Sequence, residues 1–305
     1  MNRQDRRRQI STLVQRTDAG QRYAADMKVA TGLQKQGKHA EAVALYRRIL
    51  KAYDGMPDLR VAWSNMGAAL QLQGKLEDAV KALKKARSMD PSQPAAHHNL
   101  GMALVEQGKV DEGLDSLARA IELQPRFRDA WIGFLQVADQ TGHIARAEDL
   151  CRTVLAADPD SLAALLALGE VLRRQGRFTE AIDRLNAVIA QEQGAYEAHI
   201  SLALARLGLG EPVAAADGLL EAVGLMPQVA PLHRAMVEVL VQVKAADAAA
   251  SDRIARAWAA TVPADQQVAA IAGQFALGAE QSAGQSAEQA AGEAGDAAAK
   301  ATPAA

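Results

Sequence analysis

The residues of this chain that could do chemistry are few and scattered. It has one cysteine, Cys151, and a thiol becomes a nucleophile only where charged or basic neighbours lower its pKa. His97 and His98 are adjacent, so on a helix they point roughly 100° apart and cannot easily chelate one ion together. The glycines are spread singly along the chain and do not form a phosphate-binding cluster. Glu77, Asp78 and Asp111 fall at helix starts, where the helix dipole favours a carboxylate. These positions form no catalytic constellation and no metal site, and no cofactor is expected. Two asparagines, Asn65 and Asn99, stand 34 residues apart.

That spacing belongs to the whole chain. Gly74, Gly108, Gly142, Gly176 and Gly210 follow one another at steps of 34 residues, and Pro91, Pro125 and Pro159 keep the same step. Gly37 opens the series 37 residues before Gly74. Five residues after each glycine stands a small residue (Ala42, Ala79, Gly113, Ala147, Ala181, Ala215), and four further on a larger packing residue (Tyr46, Leu83, Leu117, Cys151, Leu185, Leu219). Apolar residues within a copy recur at helical spacing. Trp63, Met66 and Leu70 make one stripe; Leu76, Val80, Leu83 and Ala86 make a second on a partner helix. The glycine between them permits the reversal, and the proline ends the second helix. Gly67, Gly101 and Gly169 fall where paired helices should approach closely, whereas Leu135 holds that place in the fourth copy. Cys151 thus occupies a packing position suited to a small hydrophobe. His97, His199 and His233 share the place of Trp63 and Trp131, which packing explains better than metal binding.

The pattern resembles the tetratricopeptide repeat, of bacterial type, with its W-x2-L-G-x2-Y, A-x3-F and P signature. Trp63, Met66, Gly67, Leu70, Gly74, Ala79, Leu83, Ala86 and Pro91 show it best. The resemblance implies an all-α fold, a right-handed α-solenoid of about six to seven helix-turn-helix repeats. The copies are placed at 23–56, 60–93, 94–127, 128–161, 162–195 and 196–229, with a degenerate one at 230–263. Pro212 should sit in the first turn of a second helix.

In this family the first helix of each repeat lines the inner groove. Carried onto this chain, the groove would present Met27, Lys28 and Thr31, then Ser64, Asn65, Gln71, His98, Asn99 and Met102. Later copies would add Asp129, Ile132, Gln136, Leu166, Glu170, Arg173 and Ile200. Asparagines like Asn65 and Asn99 can, in the family, bond an extended peptide backbone, as in the O-linked N-acetylglucosamine transferase repeats. The ladder would have two rungs here, because Lys28, Gly133, Ala167 and Ser201 fill the equivalent places. The family's dicarboxylate clamp needs a Lys and an Asn where Met27 and Thr31 stand, so chaperone-tail binding is not expected.

Composition agrees with helices. Apolar residues make up 49% of the chain but aromatics only 4%, an Ala- and Leu-rich interior that suits close-packed helices. A net charge of −2 gives no overall field for nucleic acid, and no nucleic acid is expected. Residues 1–22 carry six arginines against two aspartates, a balance of +4, and read as a basic arm or capping helix. That stretch lacks the apolar core of a secretion signal, and no apolar run is long enough for a transmembrane span. With a single cysteine and no disulfide framework, the expected location is the cytoplasm. Val268, Ile271 and Phe275 could form a capping helix over 264–278. Residues 279–305 are rich in Ala, Gly, Gln, Ser and Glu without a large apolar residue, which reads as disordered.

These features imply a non-catalytic adaptor or scaffold that holds a protein or peptide in its groove. A self-assembling homo-oligomer is an alternative. A recognition subunit for a glycosyltransferase or methyltransferase system is another.

Overall fold

A computed structural model describes residues 3–56 and 58–261 together with Ile271 and Phe275, with side chains from residue 18 onward. The described residues form fourteen α-helices and no strand. They divide into two compact units, residues 1–163 and 164–305.

The first unit contains α1 (Arg3–Lys35), α2 (His39–Ala52), α3 (Leu59–Gln71), α4 (Leu76–Met89), α5 (Pro94–Glu106), α6 (Val110–Leu123), α7 (Arg128–Gln140) and α8 (Ile144–Ala157). Each odd helix pairs antiparallel with the even helix that follows. The helix α1 is continuous through residue 22, so no break separates the basic segment from the first repeat. Its Arg- and Gln-rich sequence favours helix and holds no proline to stop it.

One device ends the first helix of six repeats. Gly37, Gly74, Gly108, Gly142, Gly176 and Gly210 adopt φ between +72° and +86°, a left-handed conformation that glycine takes without steric cost. The next residue's N–H then reaches back to the helix, as in Lys75 to the Leu70 carbonyl at 3.0 Å and Lys109 to Leu104 at 2.9 Å. The carbonyls so capped belong to Leu33, Leu70, Leu104, Ala138, Leu172 and Arg206. This set marks one equivalent position in these six copies.

Within each pair small residues set the spacing. A Cβ on Gly67 would lie 2.6 Å from Leu83 Cγ, and one on Gly101 would lie 2.7 Å from Leu117 Cγ and 2.9 Å from the Gly113 carbonyl. At the fourth repeat Leu135 is half-buried, and the backbones of α7 and α8 approach less closely than those of α3 and α4 or α5 and α6.

The second unit contains α9 (Leu162–Arg174), α10 (Phe178–Gln191), α11 (Tyr196–Gly208), α12 (Pro212–Leu225), α13 (Ala230–Ala246) and α14 (Ala248–Thr261). Pro212 is the first residue of α12, where its missing N–H costs nothing. The last pair has no glycine between its helices; Asp247 turns the chain, and its Oδ1 accepts from the Ala250 N–H at 2.9 Å. Ile254, Ala255 and Trp258 of α14 are fully buried, while Ala257 is half-buried. Of the stretch 264–278, only Ile271 and Phe275 are described. Both are helical, Ile271 is exposed, and Phe275 packs on the core formed by α12 to α14. The stretch 279–305 lies outside the described residues. Among the described residues no helix is long and apolar enough to cross a membrane.

Candidate partner-binding face

Four equivalent side chains brace the entry to a first helix. Trp131 Nε1 donates to the Pro125 carbonyl at 2.8 Å. His97, His199 and His233 use Nε2 in the same way, to Pro91 at 2.8 Å, Gln193 at 3.0 Å and Pro227 at 2.7 Å. A carbonyl only accepts, so each imidazole carries its proton on Nε2. His233 also accepts from Trp258 Nε1 on Nδ1, at 3.0 Å, which fixes its neutral tautomer. These histidines replace tryptophan both in packing and as a donor. Among the described residues no group of His, Cys, Asp and Glu could hold a metal. Burial, and next the nearby Glu148 carboxylate, push the Cys151 thiol up to about 12, so it remains protonated near neutral pH.

In the first unit the candidate groove residues lie on α1, α3, α5 and α7. Lys28 is exposed, but Met27 is buried in the core of the first two repeats. It packs there because Tyr23, Met27 and Ala30 fall on the inward stripe of α1. Thr31 Oγ1 donates to the Met27 carbonyl at 2.8 Å. Ser64, Asn65, Gln71, His98, Asn99 and Met102 are half-buried, while Ile132 and Gln136 are exposed.

The two asparagines differ. Asn99 Nδ2 donates to Ser64 Oγ at 3.2 Å, and Asn99 Oδ1 lies 3.3 Å from His98 Nδ1. The Asn65 side chain forms no hydrogen bond with any described residue. The cause lies in the repeat geometry, which sets residue i beside residue i+35 of the next copy. Ser64–Asn99, Gln71–Glu106 and Asp111–Arg146 are all pairs of this kind. The residue 35 after Asn65 is Leu100, which cannot answer an amide. Reading the sequence at a step of 35 instead of 34 would have found the Ser64 and Glu106 partners in advance.

Gly133 stands at the asparagine place of α7. A Cβ there would lie 3.1 Å from Met102 Sδ and 3.7 Å from His98 Nε2. Its bare backbone lets Met102 and His98 lie against α7. The His98 ring also meets Phe127, with centroids 5.4 Å apart. Beside this patch Ile132 is 50% exposed. The arrangement offers a free amide at one end and an apolar patch at the other, a combination suited to an extended peptide.

In the second unit the candidates Glu170 and Arg173 bond to each other. Arg173 Nε and Nη2 donate to the two Glu170 oxygens at 2.9 and 2.7 Å, Arg174 Nε adds a third bond at 2.7 Å, and Ser201 Oγ a fourth at 3.3 Å. Burial pushes the Glu170 carboxyl up, but the hydrogen bonds and charges of Arg173 and then Arg174 outweigh it and hold the pKa below the ordinary value. Leu166 and Ile200 are half-buried, and Asp129 of the first unit is exposed.

Family models described as tetratricopeptide repeat match residues 70–132 and 140–207, and residues 21–92. Together they span more than half of the chain. Two solved structures are similar. One is a tetratricopeptide repeat protein from Parabacteroides merdae, 15% identical, covering 84% of this chain and 99% of its own, at a TM-score of 0.52. The other is the C-terminal part of a TPR repeat-containing protein from Cytophaga hutchinsonii, 14% identical, covering 80% of this chain and 98% of its own, at a TM-score of 0.53. At these identities the likeness is one of fold. No curated protein matches the sequence. With the thirty-four-residue period, the glycine-capped helix pairs and these matches in agreement, the chain belongs to the tetratricopeptide repeat family.

Proposed function

We propose that this chain is a protein-interaction adaptor and that an extended segment of its partner lies on the first helices of repeats two to four, within the first unit. The observation that carries this reading is the Asn65 amide, half-buried and without a hydrogen-bond partner among the described residues. A peptide unit laid beside it would satisfy both its donor and its acceptor. Met102, packed against the bare Gly133 backbone, and the exposed Ile132 then receive the partner's apolar side chains. A flexible thioether adapts to several shapes.

Asn99 has a different part. Because it holds Ser64, its replacement disturbs the joint between α3 and α5 as well as the face, so Asn65 is the cleaner probe. The full chain is used to capture a partner, and affinity is then measured with Asn65→Ala and with Ile132→Glu. Asn65→Ala should weaken binding by about 0.5–1.5 kcal/mol, roughly 2- to 13-fold. Ile132→Glu should weaken it by tenfold or more, because it places a charge on the apolar patch. Melting temperatures should stay within about a degree or two for both, since neither side chain belongs to the core. Unchanged affinity in both variants, with folding intact, would remove the partner from this face.

A further inference from the structure

Arg206 breaks the rule of the repeat. The position whose carbonyl receives the glycine cap is held by Leu33, Leu70, Leu104, Ala138 and Leu172 in the other copies, and from Leu70 to Leu172 those side chains are buried. The sixth copy puts a guanidinium there instead. A second departure accompanies it. Gly218 lies opposite on α12, and a Cβ at Gly218 would come within 2.8 Å of Arg206 Nη1. The missing side chain is what gives the guanidinium its place.

Both residues line a cavity of about 140 Å³ between α10, α11 and α12. Its lining includes His199, Leu202 and Arg206 of α11, Asn186 of α10 and Glu221 of α12. One Arg206 N–H is spent on the Ala214 carbonyl at 2.9 Å. The remaining donors of that fork have no acceptor among the described residues. His199 is committed through Nε2 to the Gln193 carbonyl. The unspent donors of this half-buried guanidinium are open to a ligand, and the planar fork fits a carboxylate in two-point fashion.

We propose that this cavity binds a carboxylate, with Arg206 as its anchor and the Asn186 amide as a second donor. The volume is close to that of a cavity of about 150 Å³ known to admit benzene, so a carboxymethyl or propionate group fits. A single guanidinium matches a single negative charge. Glu221, an exposed carboxylate in the lining, disfavours a more highly charged anion such as phosphate. The site belongs to the second unit and does not depend on the first unit's peptide face.

The test uses the full chain labelled with 15N and follows the Gly218 backbone amide and the Arg206 Nε–H. Probes are sodium acetate against sodium chloride at equal ionic strength, and a capped Gly-Glu-Gly tripeptide against its Gly-Gln-Gly counterpart. Acetate and the Glu tripeptide should each give saturable shifts, whereas chloride and the Gln tripeptide should not. A Glu tripeptide at least tenfold tighter than acetate assigns the carboxylate to a partner's acidic side chain; equal affinities assign it to a small free acid. Arg206→Leu restores the residue of four other repeats, so it should fold with an unchanged or raised melting temperature and lose the response at least tenfold. Arg206→Gln serves if the Leu variant does not fold. Gly218→Ala should weaken binding at least fivefold by pushing the guanidinium aside, and Glu221→Gln should tighten it two- to threefold. Absence of saturation with both carboxylates, or a response that survives Arg206→Leu and Arg206→Gln, overturns the proposal.

Discussion

Glu170 shows how a residue that looks available in sequence can be claimed by its neighbours in the fold. Spacing alone places it and Arg173 on an outward face of α9. The two lie one turn apart, where such side chains meet, and Arg174 and Ser201 complete the cluster. Its chemistry is therefore that of a structural ion pair, and the consequence is a pH dependence. The folded pKa lies below the unfolded one, so the folded state binds this proton less readily. The stabilisation is fully present above the unfolded value of about 4.3 and is lost as pH falls through the lower folded value. Glu170→Gln should melt below the parent protein at pH 7, and the gap should narrow below about pH 4. Thermal melts of both proteins from pH 7 to pH 3 check this, and parallel curves would contradict it. The histidines went the other way. Their packing role was legible from the place they share with Trp63 and Trp131. The donation to the carbonyl six residues back was not, because it depends on how the chain enters each first helix.

Between helices, the same glycine letter means different things. Gly101 faces the Gly113 carbonyl and the Leu117 backbone, with a Cβ contact of 2.9 Å to the carbonyl oxygen and 3.1 Å to the amide nitrogen. Backbone cannot step aside as a side chain can. Gly67 meets mainly the Leu83 side chain, at 2.6 and 2.9 Å, with the Ala79 carbonyl at 3.3 Å. Gly32, in the last turn of α1, has nothing within 4 Å. Alanine in place of glycine gains about 1 kcal/mol of helix propensity at an unhindered site, while overpacking costs about 1–3 kcal/mol. Gly32→Ala should therefore stabilise, Gly67→Ala should lie near zero or cost little, and Gly101→Ala should destabilise by about 1–2 kcal/mol net. Urea titrations of the three variants give the order directly, and a Gly101→Ala protein as stable as its parent would refute the close-approach argument. The sequence spacing identified Gly67 and Gly101 as equivalent. It could not separate them, because the difference is made by Gly113 against Ala79 on the facing helix.

At the scale of the molecule, the helical repeat was legible because each copy restates it: period, turn glycine and apolar stripes all agree. The candidate face was legible only as a set of positions. Which amide is free, which is bonded and which residue faces inward follow from the i to i+35 neighbours and from the rotation of α1, as Met27 shows by turning into the core. The same neighbour rule governs stability. In the first unit α1 meets α2 and α3, α3 meets α4 and α5, and α5 meets α6 and α7, with no close packing between helices far apart in sequence. Free energy in such an array is a sum of repeat terms and nearest-neighbour terms, so a local defect should spread with decreasing effect. Gly101→Ala wedges apart α5 and α6 in the third copy. Native-state hydrogen exchange by mass spectrometry should show protection lost most in α5 and α6, less in α3, α4, α7 and α8, and least in α2. A uniform loss across all eight helices would instead mean that the first unit opens as one cooperative body, in which the interfaces between repeats outweigh the repeats' own stabilities.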